Sequence, residues 1–133
     1  MHKRFAGTGA LLGALAVALG AFGAHGLKQI VPAETVQVFQ TGVQYQMYHA
    51  IALLITGLAY EKCSQKTARI AGNLFITGII LFSGSLYLLT FSKAAEASFL
   101  DRAGLITPLG GICFIAGWLF LFFALLKNKN LQR

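Results

Sequence analysis

QTGVQYQMYHAIALL, residues 40–54, decides the fold. Its second half opens an apolar run, and its first half carries Gln40, Gln44, Tyr45, Gln46, Tyr48 and His49. The uninterrupted apolar part, residues 50–60, has 11 residues. As a helix it reaches about 16 Å at 1.5 Å per residue, roughly half of a hydrocarbon core of about 30 Å. To cross a bilayer, the helix must recruit residues before Ala50 and start near Val43. Gln44, Tyr45, Gln46, Tyr48 and His49 then enter the outer part of the membrane. Polar groups there are costly unless they face the bundle interior, pair with one another or reach the interface.

Three further apolar runs flank this one, at residues 5–27, 70–91 and 105–126, each of 22 or 23 residues. That is about 33 Å of helix, enough to span. The N-terminal run is longer than a usual signal-peptide core, so it reads as a retained span. Composition agrees: of 133 residues, 56% are hydrophobic and 11% charged, against about 25% charged in soluble domains. The net charge is +7. Its basic residues sit between apolar runs, which points to membrane topology rather than to nucleic acid. Cys63 and Cys113 form no CxxC pair or zinc spacing and read as free thiols.

Lys3, Arg4, Lys62, Lys66, Arg69, Lys127, Lys129 and Arg133 fall on one side of four spans, against Lys28, Lys93 and Arg102 on the other. The positive-inside rule therefore predicts cytoplasmic termini. Pro32 suits a helix start, and Val36, Phe39, Val43 and Met47 follow at helical spacing. This predicts a short amphipathic interfacial helix before span two, with Gly42 letting the chain turn into the membrane. Residues 92–104 read as a second, shorter interfacial piece. The expected fold class is all-α: an integral membrane four-helix bundle within a single domain, residues 1–133, with spans near 5–27, 43–60, 70–91 and 105–126.

Small residues are expected at helix contacts: Gly9, Gly13 and Gly20 on span one, Gly84 on span three, Gly110 and Gly111 on span four. A GxxxG at Gly9 and Gly13 serves either a dimer face or the bundle's own packing.

Polar side chains from all four spans converge at one level in the outer half. The candidate cluster is His25, Gln40, Gln44, Tyr45, His49, Ser83, Ser85, Tyr87 and Thr107. Two readings stay open: a ligand pocket for a lipid, quinone or haem, or a hydrogen-bonded cluster that fixes helix register. His25 and His49 are conceivable axial haem ligands, but their depths differ by roughly 6 Å. Glu34, Glu61, Glu96 and Asp101 all lie in connectors. That disfavours ion-coupled transport, which favours an intramembrane carboxylate, and leaves Ser83 and Ser85 without an acidic orienting group for hydrolysis. No catalytic residue, metal site or cofactor is expected. Membrane lipids, a second copy or another membrane protein are the partners in view.

GAFGAHGL (20–27), QTGVQYQMYHAIALL (40–54), FSGSLYLL (82–89) and ITPLGGICFIAGW (106–118) together resemble the bacterial small membrane proteins grouped as domain of unknown function 423. The resemblance runs from Phe5 to about Lys127. It implies a four-helix protein of the bacterial inner membrane and brings no established activity, substrate or cofactor. Its motifs coincide with His25, Gln40, Tyr45, His49, Ser83, Ser85, Tyr87 and Thr107. The expected function is a non-enzymatic structural, lipid-binding or partner-binding role. The alternative is small-molecule binding or transport through the outer polar cluster.

Overall fold

The structure, a computed structural model, describes residues 1–127; Lys129 and Arg133 of the topology argument lie outside the described residues. Four long helices carry it: α1 (Lys3–Ala24), α2 (Ala33–Ala59), α3 (Gln65–Ala95) and α4 (Thr107–Leu126). Short 3-10 turns at Leu27–Gln29, Tyr60–Lys62 and Ser98–Leu105 join them. The helices run alternately up and down. The His2 amide donates to Gly57 O at 2.8 Å, so α1 begins where α2 ends, and Ser64 N–H donates to Ala124 O at 3.2 Å, so α3 begins where α4 ends.

α1 with the turn after it, α3, and α4 with its preceding turn are long and apolar enough to cross a membrane. α2 has the length, at 27 residues, but its Gln, Tyr and His residues dilute its hydropathy. Large apolar side chains cover the outside of the bundle, among them Leu11, Ile51, Ile80, Ile115, Leu119 and Phe122. An apolar surface so extensive is what lipid, not water, selects.

The amphipathic interfacial helix and the turn at Gly42 are not there. α2 runs unbroken from Ala33 to Ala59. Pro32 stands at its N-cap in extended conformation, and its carbonyl accepts from the Thr35 and Val36 amides. Val36, Phe39 and Val43 pack into one core cluster with Ala16, Leu27 and Val31. The side chains read as lying on an interface are thus the buried face of a longer helix. Gly42 is a point of close approach: a Cβ there would lie 2.9 Å from Tyr87 Cε1.

α3 widens into a π turn at Ile79–Ser83 before resuming as α-helix. It ends at Glu96, whose left-handed φ of 53° closes the last turn. Residues 92–104 hold the end of α3 and the 3-10 turn, tied together by Ser92, whose hydroxyl lies 2.6 Å from Asp101 Oδ1.

Glycine sorts the helix contacts. A Cβ at Gly9 would stand 2.7 Å from Ala50 O, and one at Gly110 would strike Phe82. At Gly20 it would meet Val43 at 3.3 Å, whereas Gly13 and Gly111 find only van der Waals neighbours near 4 Å. Gly84 faces open space. The tight α1–α2 contact at Gly9 is therefore internal to the bundle. Gly57, Gly72, Gly78 and Gly117 make equally close approaches to Ala6, Phe5, Phe114 and Phe75. The central core gathers Phe5, Leu53, Phe75, Phe114 and Leu121 from all four helices.

Candidate functional site

The buried face of α2 carries a seam of polar side chains through this core. Gln46 is 3% exposed. Its Nε2 donates to Leu12 O on α1 at 2.8 Å, and its Oε1 accepts from the Tyr87 hydroxyl on α3 at 2.7 Å. One side chain thereby pins three helices. Four residues earlier, Gly42 lets α3 close in, and its carbonyl accepts from the Ser83 hydroxyl at 2.7 Å. Ser83 closes the π turn; such turns recur where helices carry function. Nearer the end of α1, Gln40 Nε2 donates to Gly20 O at 3.2 Å.

His49 lies one turn below Gln46, 4% exposed. The Trp118 indole donates to its Nε2 at 3.1 Å. Indole nitrogen only donates, so Nε2 accepts and the proton sits on Nδ1. Nδ1 then donates to the Tyr45 carbonyl at 2.6 Å. The imidazole lies flat on Phe114, with ring centroids 3.4 Å apart and planes 7° apart. Both ring nitrogens are engaged and one face is covered.

Ser85 bonds Thr107 at 2.6 Å, tying α3 to the first turn of α4. Gln44 is exposed, as is Tyr45, whose ring stacks on Phe82 with centroids 4.5 Å apart. His25 caps α1 and is exposed. The structure thus joins Gln40, His49, Ser83, Ser85, Tyr87 and Thr107 to neighbouring helices through five separate contacts, not one pocket. No described cavity is lined by both His25 and His49. Gln46 and Trp118, absent from the sequence-derived cluster, hold its centre. Helical spacing carries the signal for Gln46: Gly42, Gln46, His49 and Leu53 share one face. Nothing in the sequence pairs Trp118 with His49.

Among the described residues, no buried side-chain nitrogen or oxygen lacks a hydrogen-bond partner. Among the same described residues, no three His, Cys, Asp or Glu side chains converge as a metal set would. Beside His49, between α2 and α4, a groove of about 520 Å³ opens sideways, lined by Tyr45, Tyr48, Phe82, Ile115 and Trp118.

These motifs match the family described as "Protein of unknown function (DUF423)" over residues 19–111. The chain belongs to this family. The UPF0382 membrane protein YwdK of Bacillus subtilis is 44% identical over 94% of this chain and 98% of its own length. A UPF0382 membrane protein of Haemophilus influenzae is 42% identical over 98% of this chain and all of its own. The UPF0382 inner membrane protein YgdD of Escherichia coli is 35% identical over 91% of this chain and 88% of its own. No solved structure matches. Membership of this family and the apolar helices make the chain a membrane protein.

Proposed function

We propose that this is a four-span, non-enzymatic protein of the bacterial inner membrane, with both termini in the cytoplasm, whose bundle is a scaffold for lipid or for a membrane partner on its apolar flank. The carrying observation is that the polar seam is spent inside the chain: its buried side chains hold neighbouring helices, and none is left over for a substrate. The fourth span is α2, whose Gln46 and His49 are tolerable in lipid because they face the bundle. The basic excess at the ends that meet near His2, Gly57 and Ser64 supports cytoplasmic termini, and the E. coli relative's name supports the inner membrane.

A second reading places a small molecule in the groove beside His49. The observation favouring it is the aromatic wall of Tyr45, Phe82 and Trp118, suited to a flat head such as a quinone or to an acyl chain. Haem ligation by His49 fits less well, because Trp118 already occupies Nε2.

Native mass spectrometry of the protein extracted in mild detergent tests both. The scaffold reading expects loosely held lipid of mixed mass, or a defined stoichiometry with a partner, unchanged in Gly111→Trp, which fills the groove. A discrete non-lipid adduct lost in that variant establishes the second reading. Substrate turnover that depends on His49 overturns the first.

A further inference from the structure

A different cavity lies at the opposite end, where α1 begins. It measures about 330 Å³ and is lined by His2, Arg4, Thr8, Arg69, Asn73 and Ile76. Its floor is built: Phe5 lies over Gly72, where a Cβ would strike its ring. His2 stacks on Phe5, with centroids 4.0 Å apart, and leans on Tyr60.

The cavity is basic, and the charge of its arginines is uncompensated among the described residues. Arg69 Nε and Nη2 donate to the Tyr60 hydroxyl at 3.2 and 3.0 Å, which fixes the guanidinium. Among the described residues, no carboxylate lies within ion-pair distance of Arg4 or Arg69; the nearby Glu61 pairs with the Met1 ammonium instead. Arg4, Thr8 and Asn73 make no side-chain hydrogen bond among the described residues. Arg4 and Thr8 lie one turn apart on α1, and Arg69 and Asn73 one turn apart on α3, so each helix stacks an arginine above a neutral polar group. Thr8 and Asn73 lie one turn further along their helices than the arginines, toward the middle of the apolar stretches, where unmet polar groups are costly in lipid.

We propose that this cavity is a binding site for the phosphate group of an anionic phospholipid in the inner leaflet. The two guanidiniums take the phosphate oxygens, Arg69 being held in place by Tyr60, and Thr8 and Asn73 take the deeper headgroup or ester oxygens. The acyl chains leave along Ile76 into the bilayer. A soluble phosphate ester offers the same phosphate chemistry to the arginines but has no use for the deeper polar pair or the apolar exit. The proposal rests on the cytoplasmic placement of this end.

The test is native mass spectrometry of the full chain titrated with phosphatidylglycerol or phosphatidylcholine in detergent. The wild type is expected to retain phosphatidylglycerol selectively. Arg4→Gln lowers that retention about fivefold and Arg4→Gln/Arg69→Gln about thirtyfold, the effect of one and two basic groups at an anionic surface. Lys62→Gln/Lys66→Gln, which removes equal charge from the same end outside the cavity, leaves it unchanged. Arg4 has no intramolecular partner, so its variant keeps the fold, checked by an unaltered melting temperature. Equal retention by wild type and the arginine variants overturns the proposal, as does equal loss in the lysine variant. Displacement of the lipid by excess glycerol phosphate keeps the phosphate site and assigns it a soluble ligand. Placement is read separately: Lys66→Cys in a chain carrying Cys63→Ser and Cys113→Ser should react with an impermeant maleimide only from the cytoplasmic side. Labelling from outside overturns the topology, while lost selectivity with inside labelling overturns the site alone.

Discussion

Trp118 on α4 donates its indole N–H to Nε2 of His49 on α2, and that one bond sets the tautomer of the imidazole and the spacing of two helices that face the lateral groove. Trp118→Phe keeps an aromatic ring and removes the donor, leaving a buried acceptor unpaired. Hydrogen bonds between membrane helices average about 0.6 kcal/mol, so the expected loss is about 0.5–1.5 kcal/mol, read as a lower melting temperature in detergent. His49→Ala also removes the ring stacked on Phe114 and should cost more. If the double variant loses as much as the two single losses added, the bond contributes nothing.

Gln46→Leu should destabilise more than Tyr87→Phe. The first removes the bond to Leu12 O and leaves the Tyr87 hydroxyl unpaired; the second leaves the amide still bound to Leu12. A gap of about 0.5–1 kcal/mol is expected, one membrane hydrogen bond. Chemical unfolding in mixed micelles measures it, and equal effects would remove Gln46 from its place as a three-helix tie.

Gly9→Val and Gly84→Ala should part company. The first pushes a side chain against the Ala50 carbonyl, with an overpacking cost of about 1–3 kcal/mol. The second adds a methyl group in open space and should be neutral or slightly stabilising, since alanine is the better helix former. Yield of folded monomer after purification separates them. A folded, monomeric Gly9→Val would place that glycine away from the α1–α2 contact.

Glu61 is held below the ordinary carboxylate range, first by its hydrogen bond to the N-terminal ammonium and then by that group's charge. A lowered folded pKa means the pair stabilises the fold above the unfolded carboxylate range and ceases to as pH falls through the folded value. Both groups are exposed, so the effect is small and screened by salt. The melting-temperature difference between wild type and Glu61→Gln should be positive at neutral pH and low salt, and should vanish in acid or in high salt. A difference that persists in acid would assign it to packing.

The apolar runs were legible in the sequence because lipid and core demand the same thing of α1, α3 and α4, a long stretch without charge. α2 was harder. Its first ten residues carry glutamines that composition alone assigns to an interface, and Gly42 looks like a turn. Only the partner helices show that Phe39, Val43 and Gln46 face inward and that Gly42 is a place for Tyr87 to lie. From the sequence, His25 looked equivalent to His49, and Gln44 stood in the expected cluster where Gln46 did not. They differ only in which way the helix turns them, and that is settled by neighbours distant in sequence. The inner cavity escaped the sequence for the same reason: Arg4 and Arg69 counted there as topology signals, and 65 residues separate them along the chain.

The satisfied seam of α2 has a consequence for biogenesis. Alone in lipid, that helix would present Gln40 and Gln46 to hydrocarbon with no carbonyl to receive them, and His49 with no indole at its Nε2. Their partners arrive from both directions: Gly20 and Leu12 from a helix already made, Tyr87 and Trp118 from helices not yet synthesised. In the four-span arrangement, the second helix must therefore linger at the insertion machinery or shelter against α1 until α4 emerges. Truncation before Trp118 should leave an intermediate that is inserted but readily extracted.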